Sequence, residues 1–265
     1  MHAFEYHRPS NVKDAVALVL KKDEGRYLAG GQSLVQAMKL RLSSPTDLID
    51  LNAIGDLKAL KTESNAVTIG AMVRHAEVAA SSGVRKAIPA LASLAGIIGD
   101  RQVRHMGTIG GSLANNDPAA DYPAAVLALG ATIVTSKRKI EADKFFKGLY
   151  ETALEPGELI TAVSFPVPKR AAYMKFKNPA SRFAIVGVFV ADFGGKVRVG
   201  VTGAGPCAFR QTDMEKALAS KFAPESIASI KVKADGLNND LHASPEYRAH
   251  LITVMARRAV EAALK

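Results

Sequence analysis

Two short glycine-containing segments hold the residues of this sequence best suited to chemistry. Residues 29–34 read Ala-Gly-Gly-Gln-Ser-Leu, and residues 108–112 read Thr-Ile-Gly-Gly-Ser. Each glycine pair lets the backbone approach a ligand and turn its N–H groups outward, and Ser33 and Ser112 add hydroxyl donors. Concave sets of N–H groups, or a helix N-terminus, stabilise anionic phosphate. Two such segments could together bind both halves of a pyrophosphate.

The glycine pairs alone leave a simpler interpretation open. A Gly-Gly pair between a strand and a helix is often only a turn. Neither segment has the G-x-G-x-x-G spacing of a dinucleotide-binding unit, and the phosphate loop G-x-x-x-x-G-K-[ST] is absent from the chain. The sequence therefore disfavours both a Rossmann-type NAD site and a P-loop NTPase.

The first segment lies inside a predicted β-α-β unit of about fifty residues. An amphipathic helix is predicted to begin at Pro9-Ser10 and to end at Gly25, and it is followed by a strand at 27–29, a helix at 32–40 and a strand at 48–51. The second segment belongs to a larger α+β block. Its predicted strands are 67–69, 131–135 and 158–165, its predicted helices are 74–80, 88–98 and 123–129, and residues 107–118 form a glycine-rich passage.

The chain changes character at residues 166–170, Pro-Val-Pro-Lys-Arg, which interrupt both helix and strand patterns and indicate a domain boundary. Strands are predicted beyond it at 173–177, 184–193 and 196–201, and Gly194-Gly195 is typical of a tight hairpin between the last two. Helices are predicted at 212–219 and 245–264. These elements describe a small α+β domain.

Composition excludes several classes of protein. The net charge of +10 comes from dispersed basic residues, and the chain has no tryptophan to stack on bases, so a nucleic-acid-binding protein is disfavoured. A single cysteine, Cys207, excludes an internal disulfide and a four-cysteine cluster, and the six histidines lack metal-site spacing. Without an apolar run of roughly 20 residues or a signal peptide, no membrane span and a cytoplasmic location are expected.

Longer motifs resemble a known family. Residues 29–34, and the stretch 99–112 continuing through Asp117-Pro118-Ala119-Ala120-Asp121, resemble the FAD-binding medium subunit of the xanthine dehydrogenase and carbon monoxide dehydrogenase family. Residues 157–160 (Gly-Glu-Leu-Ile) and 201–206 leading to Arg210 agree with this. The resemblance covers essentially the whole chain.

The resemblance implies an α+β architecture. It predicts the two-subdomain FAD-binding fold of the vanillyl-alcohol oxidase type over residues 1–168, with subdomains of about 1–54 and 55–168. A C-terminal α+β domain at 169–265 would close over part of the flavin.

The resemblance also implies which residues contact a non-covalent FAD. These are Ala29, Gly30, Gly31, Gln32, Ser33, Leu34, Thr108, Ile109, Gly110, Gly111, Ser112, Asn116, Asp117, Asp121, Ile160 and Lys177. Residues 29–34 and 108–112 would bind the phosphates, and Asp121 would accept hydrogen bonds from sugar-like hydroxyls. Lys177 would lie near the pyrimidine end of the flavin, where it could stabilise the charge added on reduction. No residue of this chain is expected to be catalytic or to bind a metal.

Several of these positions keep a second interpretation. Asp117 is equally suited to capping its own loop, Leu159 or Ile160 to being an inward strand residue, and Lys177 to being a solvated strand end. Phe183 stands where some relatives shield the flavin with an aromatic ring, but core packing is favoured. The chain departs from its relatives at Asn115-Asn116 and at His105, which we interpret as a local hydrogen-bonding residue.

The function implied by the resemblance is electron relay. A large partner subunit would hydroxylate substrate at a molybdenum–pterin centre, a small [2Fe–2S] subunit would pass electrons on, and the FAD of this chain would deliver them to an external acceptor. A dimer of such heterotrimers is expected. Two alternatives stay open: a self-contained FAD-dependent oxidoreductase of the same fold, and a flavin-free interaction subunit.

Overall fold

The computed structural model describes all 265 residues. Its N-terminal unit is a three-stranded parallel sheet of order β1-β3-β2 with two helices. The elements are β1 (Glu5–His7), α1 (Val12–Leu20), β2 (Gly25–Leu28), α2 (Leu34–Lys39) and β3 (Asp47–Asp50). The predicted β-α-β unit is confirmed, with shifted boundaries. The side chain of Asn11, rather than Ser10, caps α1 by accepting the N–H of Asp14 at 2.9 Å, and Gly25 begins β2.

The second unit is built on a five-stranded antiparallel sheet of order β4-β5-β10-β6-β7. Its strands are β4 (Leu60–Thr62), β5 (Ala66–Gly70), β6 (Thr132–Thr135), β7 (Lys139–Glu141) and β10 (Ile160–Pro166), and β8 (Phe146–Gly148) and β9 (Glu151–Thr152) form a separate small hairpin. Its helices are α3 (His75–Ala80), α4 (Ser82–Ala87), α5 (Pro89–Gly96), α6 (Arg101–Met106), α7 (Ile109–Asn115), α8 (Tyr122–Leu129) and α9 (Ala142–Phe145). Short 3-10 helices at Leu51–Ala53 and Gly55–Lys58 join the two units.

The glycine-rich passage is more ordered than its composition predicts, because most of it is the helix α7. Thr108 caps this helix, its Oγ1 accepting the N–H of Gly111 at 3.2 Å, and Ile109 and Leu113 are fully buried. Asn116 ends it in the left-handed conformation with φ of 43°. The cap and the buried face outweigh the low helix propensity of two glycines.

The C-terminal part is a four-stranded antiparallel sheet with two helices and a 3-10 turn. It contains β11 (Arg170–Lys177), β12 (Ala184–Asp192), β13 (Val197–Thr202), β14 (Phe209–Arg210), α10 (Thr212–Ser220), a 3-10 turn (Pro224–Ile227) and α11 (Pro245–Ala263). The predicted hairpin at Gly194-Gly195 is confirmed, with φ of +84° and +105°. No helix of the chain combines the length and the apolar character that crossing a membrane requires.

The two sheets share one hydrophobic core across residues 166–170. The core of the second unit includes Tyr173, Phe189 and Ala191 from the C-terminal sheet, and β12 is buried along its whole length. An ideal Cβ at Gly200 would lie 2.2 Å from the carbonyl oxygen of Ala124, so β13 packs directly on the backbone of α8. The other face of the C-terminal sheet packs on α11.

Candidate functional site

The first glycine segment presents unpaired backbone donors. None of the N–H groups of residues 29–34 donates a hydrogen bond within the chain. The segment is partly exposed, so these groups are not enclosed in the core. Gly31 has φ of +71°, which lets the chain turn sharply between β2 and α2. A run of unpaired N–H groups on a tight turn forms a concave nest for an anion.

The second glycine segment lies against this nest. An ideal Cβ at Gly30 would be 2.2 Å from the carbonyl oxygen of Met106 and 2.7 Å from the Cα of Gly107. One at Gly111 would be 3.5 Å from the Cβ of Ala29. The predicted convergence of the two segments is therefore confirmed, and glycine at position 30 is required by close backbone contact.

The donors of the second segment are mostly used inside the protein, so the prediction that its glycines turn free N–H groups outward is wrong. The pairs are Ile109 N–H to Val73 O at 3.2 Å, Gly110 N–H to Ala71 O at 2.9 Å, Gly111 N–H to Thr108 Oγ1 at 3.2 Å and Ser112 N–H to Thr108 O at 3.0 Å. Gly110 allows close packing instead, since an ideal Cβ there would lie 2.5 Å from the Cβ of Ala71. The N–H of Thr108 and the hydroxyl of Ser112 have no hydrogen-bond partner within the chain.

Asp121 lies at the start of α8 in a buried polar network. Its Oδ1 accepts the Tyr173 hydroxyl at 2.5 Å, and the ammonium of Lys175 lies 3.0 Å from Oδ1 and 3.2 Å from Oδ2. Burial raises the pKa of the Asp121 carboxyl, while Lys175 and Tyr173 oppose that rise. The same burial, with the adjacent carboxylate, raises the pKa of Tyr173, so its hydroxyl stays a donor.

Sequence analysis missed Tyr173 and Lys175. The alternation of side chains along β11 could have identified them, because residues 173, 175 and 177 share one face of the strand and Lys177 is already a candidate. Lys177 ends that strand and is exposed, which agrees equally with a ligand contact and with a solvated strand end. Ile160 is buried at the start of β10, next to an irregularity in its pairing with β6.

Asn116 and Asp117 have structural hydrogen bonds. Asn116 is fully buried and donates through Nδ2 to the carbonyls of Gly148 and Glu151, both at 2.8 Å, so only its enclosed Oδ1 lacks a partner. Asp117 accepts the N–H of Ala119 at 2.9 Å, which is the loop-capping arrangement. The side chain of Gln32 donates to Gly30 O at 3.3 Å and so supports the nest.

Two secondary interpretations are wrong. Phe183 is 50% exposed, so it is not a core residue. It lies in the turn between β11 and β12, beside Lys177. The side chain of His105 is exposed on α6 and makes no hydrogen bond within the chain.

His75 is a buried group under the second glycine segment. An ideal Cβ at Gly107 would lie 2.6 Å from its Nε2, so the ring supports the backbone that precedes Thr108. Burial, followed by the nearby charge of Arg104, lowers the pKa of His75 to about 4, and the ring is neutral at physiological pH. No group of His, Cys, Asp and Glu side chains is arranged to hold a metal ion.

Residues 2–168 match the family described as the FAD binding domain in molybdopterin dehydrogenase. The carbon monoxide dehydrogenase medium chain of Afipia carboxidovorans is 37% identical over 98% of this chain and 96% of its own length. The nicotine 6-hydroxylase medium subunit of Paenarthrobacter nicotinovorans is 35% identical over 97% and 96%. The chain belongs to the FAD-binding medium subunits of the molybdenum hydroxylases.

Solved structures of this family agree with the fold. Reconstituted CO dehydrogenase from Oligotropha carboxidovorans superposes with a TM-score of 0.91 at 35% identity, covering 99% of this chain and 98% of that one. This medium subunit is therefore an oxidoreductase component with a mixed α+β fold, an FAD-binding domain at residues 2–168 and a further C-terminal region.

The site of this medium subunit fits a dinucleotide diphosphate. The nest of unpaired N–H groups at 29–34 can neutralise phosphate oxygens without a lysine or arginine, and Gly30 keeps the neighbouring backbone close. Ser112 can add a hydroxyl donor from α7.

Proposed function

We propose that this medium subunit binds FAD non-covalently and relays electrons from a [2Fe–2S] partner subunit to an external acceptor. The observation that carries the proposal is the run of unpaired N–H groups at residues 29–34, lying against Met106, Gly107 and Gly111. Unpaired donors at this density are costly unless a ligand or water accepts from them. A diphosphate supplies the acceptor oxygens.

The proposed site uses the residues that the resemblance implies, with roles adjusted to the geometry. Residues 29–34 would bind one phosphate through backbone N–H groups. Thr108, through its N–H, and Ser112, through its hydroxyl, would reach the other, while Ile109, Gly110 and Gly111 shape the backbone beneath. Asn116 and Asp117 would hold the neighbouring loop in place.

The remaining contacts would surround the flavin end of the cofactor. Asp121 would accept a hydroxyl hydrogen bond, Ile160 would pack against the ring system, and Lys177 would place a positive charge near its pyrimidine end. Bound FAD supplies a centre that takes up single electrons and releases them singly or in pairs. The ammonium of Lys177 would favour the reduced, more negative form of that centre.

We further propose the domain and subunit organisation implied by the family. Residues 1–168 would form the FAD-binding domain, with subdomains of about 1–54 and 55–168, and residues 169–265 the C-terminal domain. A small iron–sulfur subunit and a large molybdenum–pterin subunit would complete a heterotrimer that pairs into a dimer. Substrate oxidation would take place in the large subunit.

Gly30→Ala tests the proposed cofactor site. We expect it to weaken FAD binding by at least tenfold, because its methyl group would collide with Met106 O and displace the nest. Gly55→Ala is the matched control, since nothing lies within 4 Å of an ideal Cβ there. Binding is measured by fluorescence titration of the full-length chain with FAD.

The outcomes separate the three candidate functions. Wild-type protein that takes up FAD, with loss only in Gly30→Ala, supports the proposed site. A wild-type chain that fails to take up FAD would point to a flavin-free interaction subunit. Flavin reduced by an organic substrate in the isolated chain, without partner subunits, would favour a self-contained oxidoreductase.

A further inference from the structure

Lys175 is a buried ammonium to which the proposed function assigns no role. It lies on β11, beyond the region that matches the FAD-binding family, and its side chain is 2% exposed. Besides the ion pair with Asp121, its Nζ donates to the carbonyl of Ile97 at 2.9 Å and to that of Arg182 at 3.0 Å. The three hydrogens of the ammonium therefore have acceptors on three separate segments.

Each of those segments borders the proposed cofactor site. Ile97 follows the last residue of α5 and leads towards α6, whose last residue, Met106, covers Gly30. Asp121 directly precedes α8. Arg182, with φ of +64°, lies in the turn between β11 and β12 that also carries Phe183. One side chain from the C-terminal part thus joins the surroundings of the nest to the proposed flavin end of the site.

The carboxylate of Asp121 has unused capacity to accept a hydrogen bond. Oδ1 accepts the Tyr173 hydroxyl and lies 3.0 Å from the Lys175 ammonium, and Oδ2 accepts a hydrogen bond only from Lys175, at 3.2 Å. An ionised carboxylate offers about four lone-pair sites. Oδ2 therefore has lone-pair capacity for one more donor, such as a hydroxyl group.

We propose that Lys175 is a positioning residue that orients Asp121 as the hydrogen-bond acceptor for a hydroxyl group of bound FAD. Strand β11 then completes a cofactor site whose other residues lie mainly within 2–168. This inference rests on the proposed function, because it assumes that FAD is the ligand.

The charges around Asp121 predict how FAD affinity should depend on pH when Lys175 is replaced. The titratable groups that face it are Lys175 and Tyr173 on β11 and Tyr122 on α8. Both tyrosines have raised pKa values and stay neutral, so Lys175 is the cation that opposes the effect of burial on Asp121. Without Lys175 the pKa of Asp121 rises further, and the carboxylate is lost as the pH falls.

The test measures FAD affinity of the full-length chain between about pH 6 and about pH 9. We expect Lys175→Met to weaken binding by about tenfold or more, increasingly so towards low pH, as loss of a charge-assisted hydrogen bond implies. Asp121→Asn should weaken binding without a pH dependence. The double variant should bind like Asp121→Asn, because Lys175 acts through Asp121.

Arg170→Met is the matched control. Arg170 lies at the opposite end of β11 from Lys175, and the substitution removes its ion pair with Asp192, in which Nε and Oδ2 are 2.8 Å apart. It should bind FAD like the wild type at every pH. Tyr173→Phe is a conservative variant that removes one donor to Asp121 and keeps the cation, and we expect a several-fold weaker affinity with a smaller pH dependence than that of Lys175→Met.

Three results would overturn the inference: wild-type affinity with a flat pH profile in Lys175→Met, additive losses in the double variant, or an unchanged affinity in Tyr173→Phe. Its failure is distinguishable from failure of the proposed function. If only this inference fails, the wild-type chain still binds FAD. If the proposed function fails, neither the wild-type chain nor any variant binds FAD.

Discussion

At the scale of single residues, the hydrogen bonds of Glu158 explain the Gly-Glu-Leu-Ile motif at 157–160 without any contact between Glu158 and a ligand. Its buried carboxylate accepts the Thr135 hydroxyl at 2.6 Å, two guanidinium hydrogens of Arg138 at 3.1 Å each and the Glu155 N–H at 2.8 Å. These bonds fix the turn that places Leu159 and Ile160 at the start of β10. The Gly-Glu-Leu-Ile motif therefore encodes a rigid strand entry.

Glu158→Gln should destabilise the protein by ~1–3 kcal/mol at neutral pH, the usual loss for a buried hydrogen-bonded charge. Burial raises the pKa of Glu158, but Arg138, Thr135 and the Glu155 N–H together lower it to about 2. The contribution of Glu158 is therefore complete above the unfolded-state pKa of roughly 4.3 and disappears as the pH falls towards about 2. Urea denaturation at several pH values measures this. A stability difference that stayed constant down to the lowest pH would contradict it.

At the scale of elements, α7 is a helix whose start depends on one hydroxyl. Thr108 Oγ1 accepts the N–H of Gly111, and its carbonyl accepts that of Ser112. The backbone N–H of the same residue is left for a ligand. Folding of the second glycine segment and its proposed contact with phosphate are thus coupled at one position.

Thr108→Ala should cost about 1 kcal/mol of stability through loss of the helix cap, and Thr108→Ser should restore most of it. We also expect FAD to bind more weakly to the alanine variant and nearly normally to the serine variant. Thermal denaturation with and without FAD gives both quantities. Equal behaviour of the two variants would show that the methyl group, and not the hydroxyl, matters at this position.

The element scale also shows where sequence reasoning stopped. Strand type is predicted correctly for β12 and β13, which are short β-rich segments on either side of a glycine pair and are buried at every residue, and helix type is predicted correctly for α11. Helices α4 and α6 were missed because they are only six residues long and carry little apolar pattern. Residue propensity predicts a turn at the glycine pair in α7, because it contains no information about the buried contacts of Ile109 and Leu113.

At the scale of the whole molecule, the C-terminal sheet and the second unit share one core. Tyr173 contributes its ring to that core and its hydroxyl to Asp121, so one residue of β11 serves both packing and the candidate site. The break at 166–170 separates two sheets in sequence, yet the core of the second unit continues across it, while the other face of the C-terminal sheet packs on α11 in a core of its own.

Gly200→Ala should therefore lower the stability of the entire protein by ~1–3 kcal/mol, since its methyl group would overlap Ala124 O where β13 meets α8. Calorimetry should show one unfolding transition for the wild type and one, shifted to lower temperature, for the variant. Gly55→Ala should leave the transition in place. Two separate transitions, with only one of them shifted, would contradict a shared core.

The sequence by itself determined the family, the α+β class and the two glycine segments, because these depend on local residue types and spacing. Only the tertiary structure decided which donors are free, since residues 29–34 keep theirs while those of 109–112 are taken by Val73, Ala71 and Thr108. It alone brought Lys175 to Asp121, 54 residues earlier in the chain. Hydrogen-bond partners far apart in sequence follow from packing, and no local pattern specifies them.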